Sequence, residues 1–380
     1  MPRTKAERLR IAMLGHKRVP SREGGVELVV GELAARLAAK GHSVTCYNRR
    51  GHHVGGADFD GSVKAELSGV RLKSVWTVDK RGLAAMTASI SAALCAAFGP
   101  YDVVHFHAEG PCAMLWLPKL FGKRCIATVH GLDHMRAKWG RFASRYILFG
   151  EKCAVRYADE IIVLSKSAQK YFADRYNRNT VLIPNGVCAA SAAAADEITQ
   201  KFGLKKDEYI LFLGRLVPEK GVRYLIDAFK GVKTDKKLVI AGGVSDTAEF
   251  EAELKAAAGD DSRIIFTGFV QGRVLDELYS NAYFYVLPSD LEGMPLSLLE
   301  AMSHGNCCLT SDIEECSSVL GSFGLTFRRG DVDDLADKLS RLCDSPDLVA
   351  TLKKGAAEQV CSKYNWNDVT EQTLRLYRTE

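Results

Sequence analysis

The sequence predicts an α/β protein made of two similar halves, each a mostly parallel sheet covered by helices on both faces. Three observations predict it. Short apolar, strand-like runs alternate with helical patterns along the whole chain. The alternation starts twice, at Ile11–Gly15 and again at Tyr209–Leu213, with a turn and an alanine-rich stretch between. And 380 residues exceed one core of usual size, so two domains are expected, 1–183 and 184–363.

In the first half, Ile11–Gly15 reads as a short apolar strand ending in glycine, followed by a polar loop. Gly24 and Gly25 open a helix whose apolar positions Val26, Val29, Val30, Leu33, Ala34 and Leu37 keep helical spacing, and Gly41 closes it. Strand, glycine turn and helix are how nucleotide-binding α/β domains begin, but the GxGxxG fingerprint is absent, which argues against NAD. The double glycine either lets the backbone approach a ligand held at the helix N-terminus or simply starts a helix. Further strands are expected at Val44–Tyr47, Val70–Val75, Val103–Phe106, Ile126–Val129, Ile161–Leu164 and Val181–Ile183.

Ligands of such sheets gather at the carboxyl ends of strands. His105 and His107 fall at one such end. His130 falls at another, where HGLDH sets Gly131 and Asp133 beside it in a loop. The following segment interleaves Arg136, Lys138, Arg141 and Arg145 with Trp139, Phe142, Tyr146 and Phe149. It reads either as an amphipathic surface for a membrane or anionic acceptor, or as a helix with ordinary core and solvent faces.

Pro184-Asn185-Gly186 is a turn, and Ala189–Ala195 reads as a linker or the first helix of a new unit. Strands are then expected at Tyr209–Leu213, Lys237–Ala241, Ile264–Thr267, Tyr283–Leu287 and Cys307–Thr310. After the first of these, GRLVPEKG places Arg215 and Lys220 in one strand-to-helix loop. A forked guanidinium and a compact ammonium together suit a diphosphate. After the strand at 283–287, EGMPLSLLEAM carries Glu292 in a glycine-containing loop and Glu300 in a helix that Pro295 should open. Eight helical steps would span roughly 12 Å, about the reach of a diphosphate-linked nucleotide sugar. The amides of Leu296 and Ser297 are placed to meet phosphate between the two carboxylates. Taken alone, the two glutamates also fit ordinary solvated charges.

The net charge of +5 conceals an asymmetry: residues 1–183 hold 29 Lys and Arg against 15 Asp and Glu, a balance of +14, and residues 184–380 hold 22 against 31, a balance of −9. The basic half is either a solvated face or a surface for something anionic, such as phospholipid, a lipid-linked phosphate or an acidic polymer. No apolar run approaches the roughly 20 residues of a membrane span, and the N-terminus does not read as a signal peptide. The eleven cysteines are scattered without a CxxC pattern, which suits a reducing, cytoplasmic setting. Two DxD matches that resemble metal-binding patterns are set aside. Asp331-Val332-Asp333 reads as a helix N-cap, and Asp58-Phe59-Asp60 lies in a glycine-rich loop. No metal requirement and no cofactor are therefore expected. No GxSxG, HExxH or GxxxxGK motif supports a hydrolase or nucleotidase.

Together these residues resemble family 4 of the retaining glycosyltransferases, of GT-B architecture. The resemblance runs over GGVE (24–27), TVHGLDH (128–134), VLS (163–165), IPNGV (183–187), GRLVPEKG (214–221), TGFV (267–270), PSDLEGMPLSLLEAM (288–302) and YNW (364–366). Its specific part is Glu292-x7-Glu300 with the upstream Arg215-x4-Lys220. The resemblance implies two Rossmann-like domains facing each other across a cleft, with a C-terminal helix within 364–380 packing back on the first. It implies that Arg215 and Lys220 hold the donor diphosphate, that Glu300 binds the ribose, and that Glu292 contacts the donor sugar with amides of Gly293, Met294 and Leu296 nearby. His130 would reach the sugar, Gly24 and Gly25 the phosphate, and Phe269 and Val270 would pack on the base. The implied substrates are a UDP- or GDP-sugar and an acceptor glycan, glycolipid or lipid-linked phosphate. A peripheral contact with anionic membrane at its inner face fits the basic half, and no nucleic-acid partner is expected. The resemblance assigns no role to His134. Rival readings are a nucleotide-sugar epimerase or phosphorylase on the same architecture, and a non-catalytic protein that docks on an anionic surface.

Overall fold

The computed structural model describes residues 8–51, 66–80, 82–135, 140–243 and 248–378. The Asp58-Phe59-Asp60 motif and the side chains of Arg136, Lys138 and Trp139 lie outside the described residues. The chain divides into two compact units, one formed by Met1–Asn185 and Trp366–Glu380, the other by Gly186–Asn365.

In chain order the first unit runs β1 (Arg10–Leu14), α1 (Gly25–Ala39), β2 (Ser43–Arg49), β3 (Glu66–Leu67), β4 (Val70–Val75), α2 (Leu83–Phe98), β5 (Val103–His107), α3 (Trp116–Leu120), β6 (Arg124–Val129), α4 (Arg141–Tyr157), β7 (Glu160–Val163), α5 (Lys166–Tyr176) and β8 (Val181–Leu182). The described strands order as β3-β4-β2-β1-β5-β6-β7-β8, parallel throughout except for the β3–β4 pair. The central strands are buried on both faces, and for that reason they read as continuous apolar runs. On one face, Ala88, Ala92, Ala93 and Ala96 of α2 pack with Phe106, Val104 and Tyr101. Alanine allows that helix to lie close to the strands.

The second unit runs α6 (Glu197–Phe202), β9 (Tyr209–Leu213), α7 (Val222–Gly231), β10 (Lys237–Ala241), α8 (Ala248–Ala258), β11 (Ile264–Gly268), α9 (Arg273–Asn281), β12 (Phe284–Leu287), α10 (Leu296–Ser303), β13 (Cys308–Ser311), α11 (Glu314–Leu320), β14 (Gly324–Phe327), α12 (Val332–Asp344), α13 (Pro346–Lys353) and α14 (Ala356–Lys363). Its strands, ordered β11-β10-β9-β12-β13-β14, are all parallel. The alanine-rich stretch is a linker and not a helix. It is pinned where the Ala193 amide donates to Ser280 Oγ at 3.1 Å and Asn281 Nδ2 donates to the Ala193 carbonyl at 2.9 Å. Asp331 caps α12, its Oδ1 accepting the Asp334 amide at 2.9 Å, so this DxD match is occupied with helix capping.

The last helix, α15 (Trp366–Arg378), belongs to the first unit. Tyr377 Oη lies 2.6 Å from His105 Nδ1, Arg124 Nε donates to the Leu376 carbonyl at 2.6 Å, Lys40 pairs with Glu371, and the Arg36 guanidinium lies over the Trp366 ring.

Candidate active site

Each sheet reverses direction of growth once, and that reversal locates the candidate residues. In the second unit the chain builds β9, β10 and β11 outward and then returns to lay β12 on the other side of β9. The loops leaving β9 and β12 therefore diverge over a crevice at the strand carboxyl ends, where open α/β sheets bind ligands. GRLVPEKG leaves β9, and PSDLEG leaves β12.

The two loops are joined by a tightly held ion pair. Lys220 Nζ lies 2.5 Å from Glu292 Oε1, with side chains 13% and 9% exposed. Ser289 Oγ donates to the same oxygen at 2.7 Å, and Ser289's own carbonyl accepts from Ser311 Oγ at 2.5 Å. Gly221 permits the approach. It adopts φ +68°, and a Cβ there would stand 2.1 Å from the Pro288 carbonyl oxygen. Tyr224 Oη donates to that same carbonyl, and the Asp290 amide donates to the Glu219 carbonyl at 2.8 Å. Burial pushes the Asp290 carboxyl above its ordinary range, opposed by its hydrogen bond from Tyr224. Arg215 is half-buried in the same loop, and its guanidinium has no ion-pair partner among the described residues. Arg215 and Lys220 thus share one strand-to-helix loop, and Lys220 is paired with Glu292.

Glu300 lies on α10, where Tyr279 Oη donates to its Oε2 at 3.2 Å. Tyr285 and Ser297 hydroxyls, 2.9 Å apart, tie β12 to the start of this helix. The helix starts one residue later than its sequence pattern predicts. Pro295 is the N-cap in extended conformation, and α10 begins at Leu296 because the amides of Leu298 and Leu299 bond to the Pro295 carbonyl. Glu292 thus sits in an irregular loop ahead of the helix, and its separation from Glu300 is not eight helical steps. The first α10 amides have no side-chain cap, Gly293 and Met294 are buried, and Leu296 and Ser297 are half-exposed. Phe269 and Val270 are half-buried and follow Gly268 at the carboxyl end of β11, two strands from β9.

In the first unit the reversal falls at β1 between β2 and β5. Gly15 leaves β1 with φ +107° and presses on the His107 carbonyl, which a Cβ would meet at 2.1 Å. His107 Nδ1 is bonded to His130 Nε2 at 3.1 Å, and the His105 and His107 rings lie 4.1 Å apart. His105 is buried between Tyr377 and Thr128, the latter 2.7 Å from its Nε2. Burial lowers the His105 pKa to about 3 and holds His107 well below the ordinary imidazole range, so both rings are neutral supports for half-buried His130.

Gly24 is the N-cap of α1 and Gly25 its first residue. Sequence reasoning overlooked Glu27 in that turn. It is buried, and its Oε1 accepts the Lys17 amide at 2.8 Å, folding the polar loop back onto the helix. An acid in the first helical turn was the available signal. Also overlooked was the meeting of Glu109, His134 and Glu151, whose ligand-type atoms all lie within 4.8 Å of one another.

Residues 23–191 match the profile described as Glycosyltransferase Family 4, and residues 194–359 match that described as Glycosyl transferases group 1. The chain belongs to the family 4 glycosyltransferases. Among curated proteins this glycosyltransferase is 25% identical over 296 residues to alpha-D-kanosaminyltransferase of Streptomyces kanamyceticus, covering 72% of this chain and 76% of that one. It is 29% identical over 290 residues to phosphatidyl-myo-inositol mannosyltransferase of Mycobacterium leprae, covering 74% of each. Among solved structures it superposes on Anabaena HepE in complex with UDP-glucose with TM-score 0.80 at 16% identity, covering 98% of this chain and all of that one. This likeness shows the GT-B fold.

Proposed function

We propose that this glycosyltransferase moves a hexose-type sugar from a UDP- or GDP-sugar to an acceptor hydroxyl with retention of anomeric configuration, in polysaccharide, glycolipid or cell-envelope glycan synthesis. The observation that carries the reading is the Lys220–Glu292 pair bridging the two switch-point loops, with Arg215 in the same loop as Lys220 and without an ion-pair partner among the described residues. Arg215 and Lys220 take the donor diphosphate, Glu300 the ribose, and Glu292 the sugar, with Gly293, Met294 and Leu296 lining the phosphate side and Phe269 and Val270 serving the base. His130 and the Gly24–Gly25 turn are assigned to sugar and phosphate on the family resemblance. UDP-glucose bound to a protein of the same fold supports the donor class.

Transfer with retention and without a protein nucleophile implies front-face displacement through an oxocarbenium-like transition state. The leaving phosphate takes the acceptor proton. The main protein contribution is then preorganised positive charge where negative charge grows on the diphosphate. No metal is proposed for this step.

Incubating UDP-glucose or GDP-mannose with candidate acceptors, and following released nucleotide and the anomeric proton of the product by NMR, tests the reading. Inverted product removes the retaining mechanism, and sugar isomerisation without nucleotide release supports the epimerase instead. Peripheral contact with anionic membrane is proposed for the basic unit, supported by Phe142 and Phe149, 78% and 53% exposed, beside exposed Arg141 and Arg145 on α4. Among the described residues no helix is long and apolar enough to cross a membrane. Equal sedimentation with anionic and neutral vesicles would exclude that contact.

A further inference from the structure

Two acids and an imidazole meet in the interior of the first unit, their inward atoms facing one another with no hydrogen bond among the described residues. Glu109 follows β5 and is fully buried, and its Oε2 accepts the Asp133 amide at 2.8 Å. Glu151, fully buried on α4, uses Oε1 to accept from Tyr171 Oη at 3.0 Å and from Tyr176 Oη. His134, 12% exposed, sets Nε2 3.4 Å from Tyr171 Oη. With Tyr171 donating to Glu151, the imidazole carries its proton on Nε2, directed at the Tyr171 oxygen, and Nδ1 is left as a lone pair. The outward atom of each group is thus held by a neighbour. Among the described residues, Glu109 Oε1, Glu151 Oε2 and His134 Nδ1 are buried without a hydrogen-bond partner. His134 Nδ1 lies 3.5 Å from Glu151 Oε2 and 3.9 Å from Glu109 Oε1.

Local packing creates this meeting. Gly150 lies so close to the chain at Glu109 that a Cβ would stand 2.1 Å from the Glu109 carbonyl oxygen, which brings the next residue, Glu151, against Glu109. Two buried carboxylates cannot both stay ionised without a counter-charge. Burial and the neighbouring acids push the Glu109 carboxyl well above its ordinary range.

We propose that Glu109, Glu151 and His134 bind a first-row divalent cation, Zn²⁺ or Mn²⁺, that ties the HGLDH loop to α4. Ligand atoms about 2.1 Å from such an ion lie roughly 3.0–3.4 Å from one another, so the 3.5 and 3.9 Å separations from His134 Nδ1 must close by up to about an ångström on binding. Two carboxylates cancel the charge of the ion, and the carboxylate–imidazole donor set suits these metals. Hydrogen bonds to the outward atoms are the supports that orient metal ligands. The ion is distinct from the donor diphosphate. Its role is to fix the loop that begins at His130.

The test uses the full chain, stripped with chelator and titrated with Mn²⁺, which avoids capture by the cysteine thiols. The expected result is saturable uptake of a single equivalent, a rise in melting temperature on binding, and ¹⁴N coupling from one imidazole in pulsed EPR of the wild-type complex. His134→Ala and Glu109→Gln, checked for folding by circular dichroism, should each weaken uptake at least tenfold. The absence of saturable binding would overturn the proposal and assign the pair a shared proton. Binding without ¹⁴N coupling, or binding unchanged in both folded variants, would equally overturn it.

Discussion

Lys220 and Glu292, 72 positions apart in the chain, meet at 2.5 Å because the loops that carry them leave adjacent parallel strands. The pair is nearly dry, so each charge depends on the other until an anion arrives. Removing Lys220 then removes the counter-charge of Glu292 together with the cation proposed to hold the donor phosphate. Lys220→Ala is expected to lower kcat by about 10²-fold or more, by analogy with loss of an oxyanion donor. Initial rates at saturating donor check this, and unchanged turnover would take Lys220 out of the mechanism.

The two glutamates should fail differently. Glu300 is held by Tyr279 on α10, and Glu292 is held by Lys220 and Ser289 in the loop. Glu300→Gln is expected to raise the donor KM about tenfold or more with a smaller change in kcat, corresponding to loss of about 1.4 kcal/mol or more of binding. Glu292→Gln is expected to lower kcat. Identical kinetic profiles for the two variants would refute the division of roles.

Gly221→Ala combines left-handed strain with a collision against the Pro288 carbonyl. The strain alone costs about 1–2 kcal/mol, and the clash forces the two switch-point loops apart. Urea unfolding should show a loss of at least about 1 kcal/mol, accompanied by weaker donor binding. A variant as stable as the parent would mean that the loops are not packed as described.

Acid should destabilise the first unit before its solvent-exposed carboxylates titrate. His16 is buried with Nε2 3.0 Å from Asn48 Oδ1, and burial lowers its pKa to about 4; His105 is lowered to about 3. Above the ordinary imidazole value of 6.5 neither state carries the extra protons, and the two rings contribute no pH dependence. As pH falls below that value the unfolded chain takes up protons that the folded rings refuse, so stability drops, by up to about 1.4 kcal/mol per pH unit for each ring. The decline continues until the folded values are reached. Melting temperatures from about pH 7 to 5 should fall, and less steeply in His16→Gln, which keeps a donor for Asn48. A flat profile would show that these rings accept protons in the folded state.

Much of the fold was legible because buried parallel strands announce themselves as apolar runs bounded by glycine and polar turns. Tyr209–Leu213 and Lys237–Ala241 lie where their patterns place them. β14 was not read: Gly324–Phe327 is an edge strand, mostly half-exposed or exposed, with no continuous apolar run. β3, two residues long, leaves no pattern at all. In the candidate site, Arg215, Lys220 and Glu292 lie in loops and Glu300 in a helix, as their sequence patterns place them. Their connections were not legible.

Sequence alone determined two α/β units, the glycosyltransferase family, and which loops carry charge fit for a diphosphate, because periodicity, glycine placement and residue chemistry are local properties. Tertiary structure alone decided that β12 returns beside β9, which pairs Lys220 with Glu292. It also decided that Gly150 presses α4 onto the Glu109 backbone, so that His134, to which the motif assigned no role, faces two buried carboxylates. The physical reason is common to both cases. Strand order and helix docking are set by burial summed over whole surfaces, and they bring together side chains whose spacing along the chain carries no trace of the meeting.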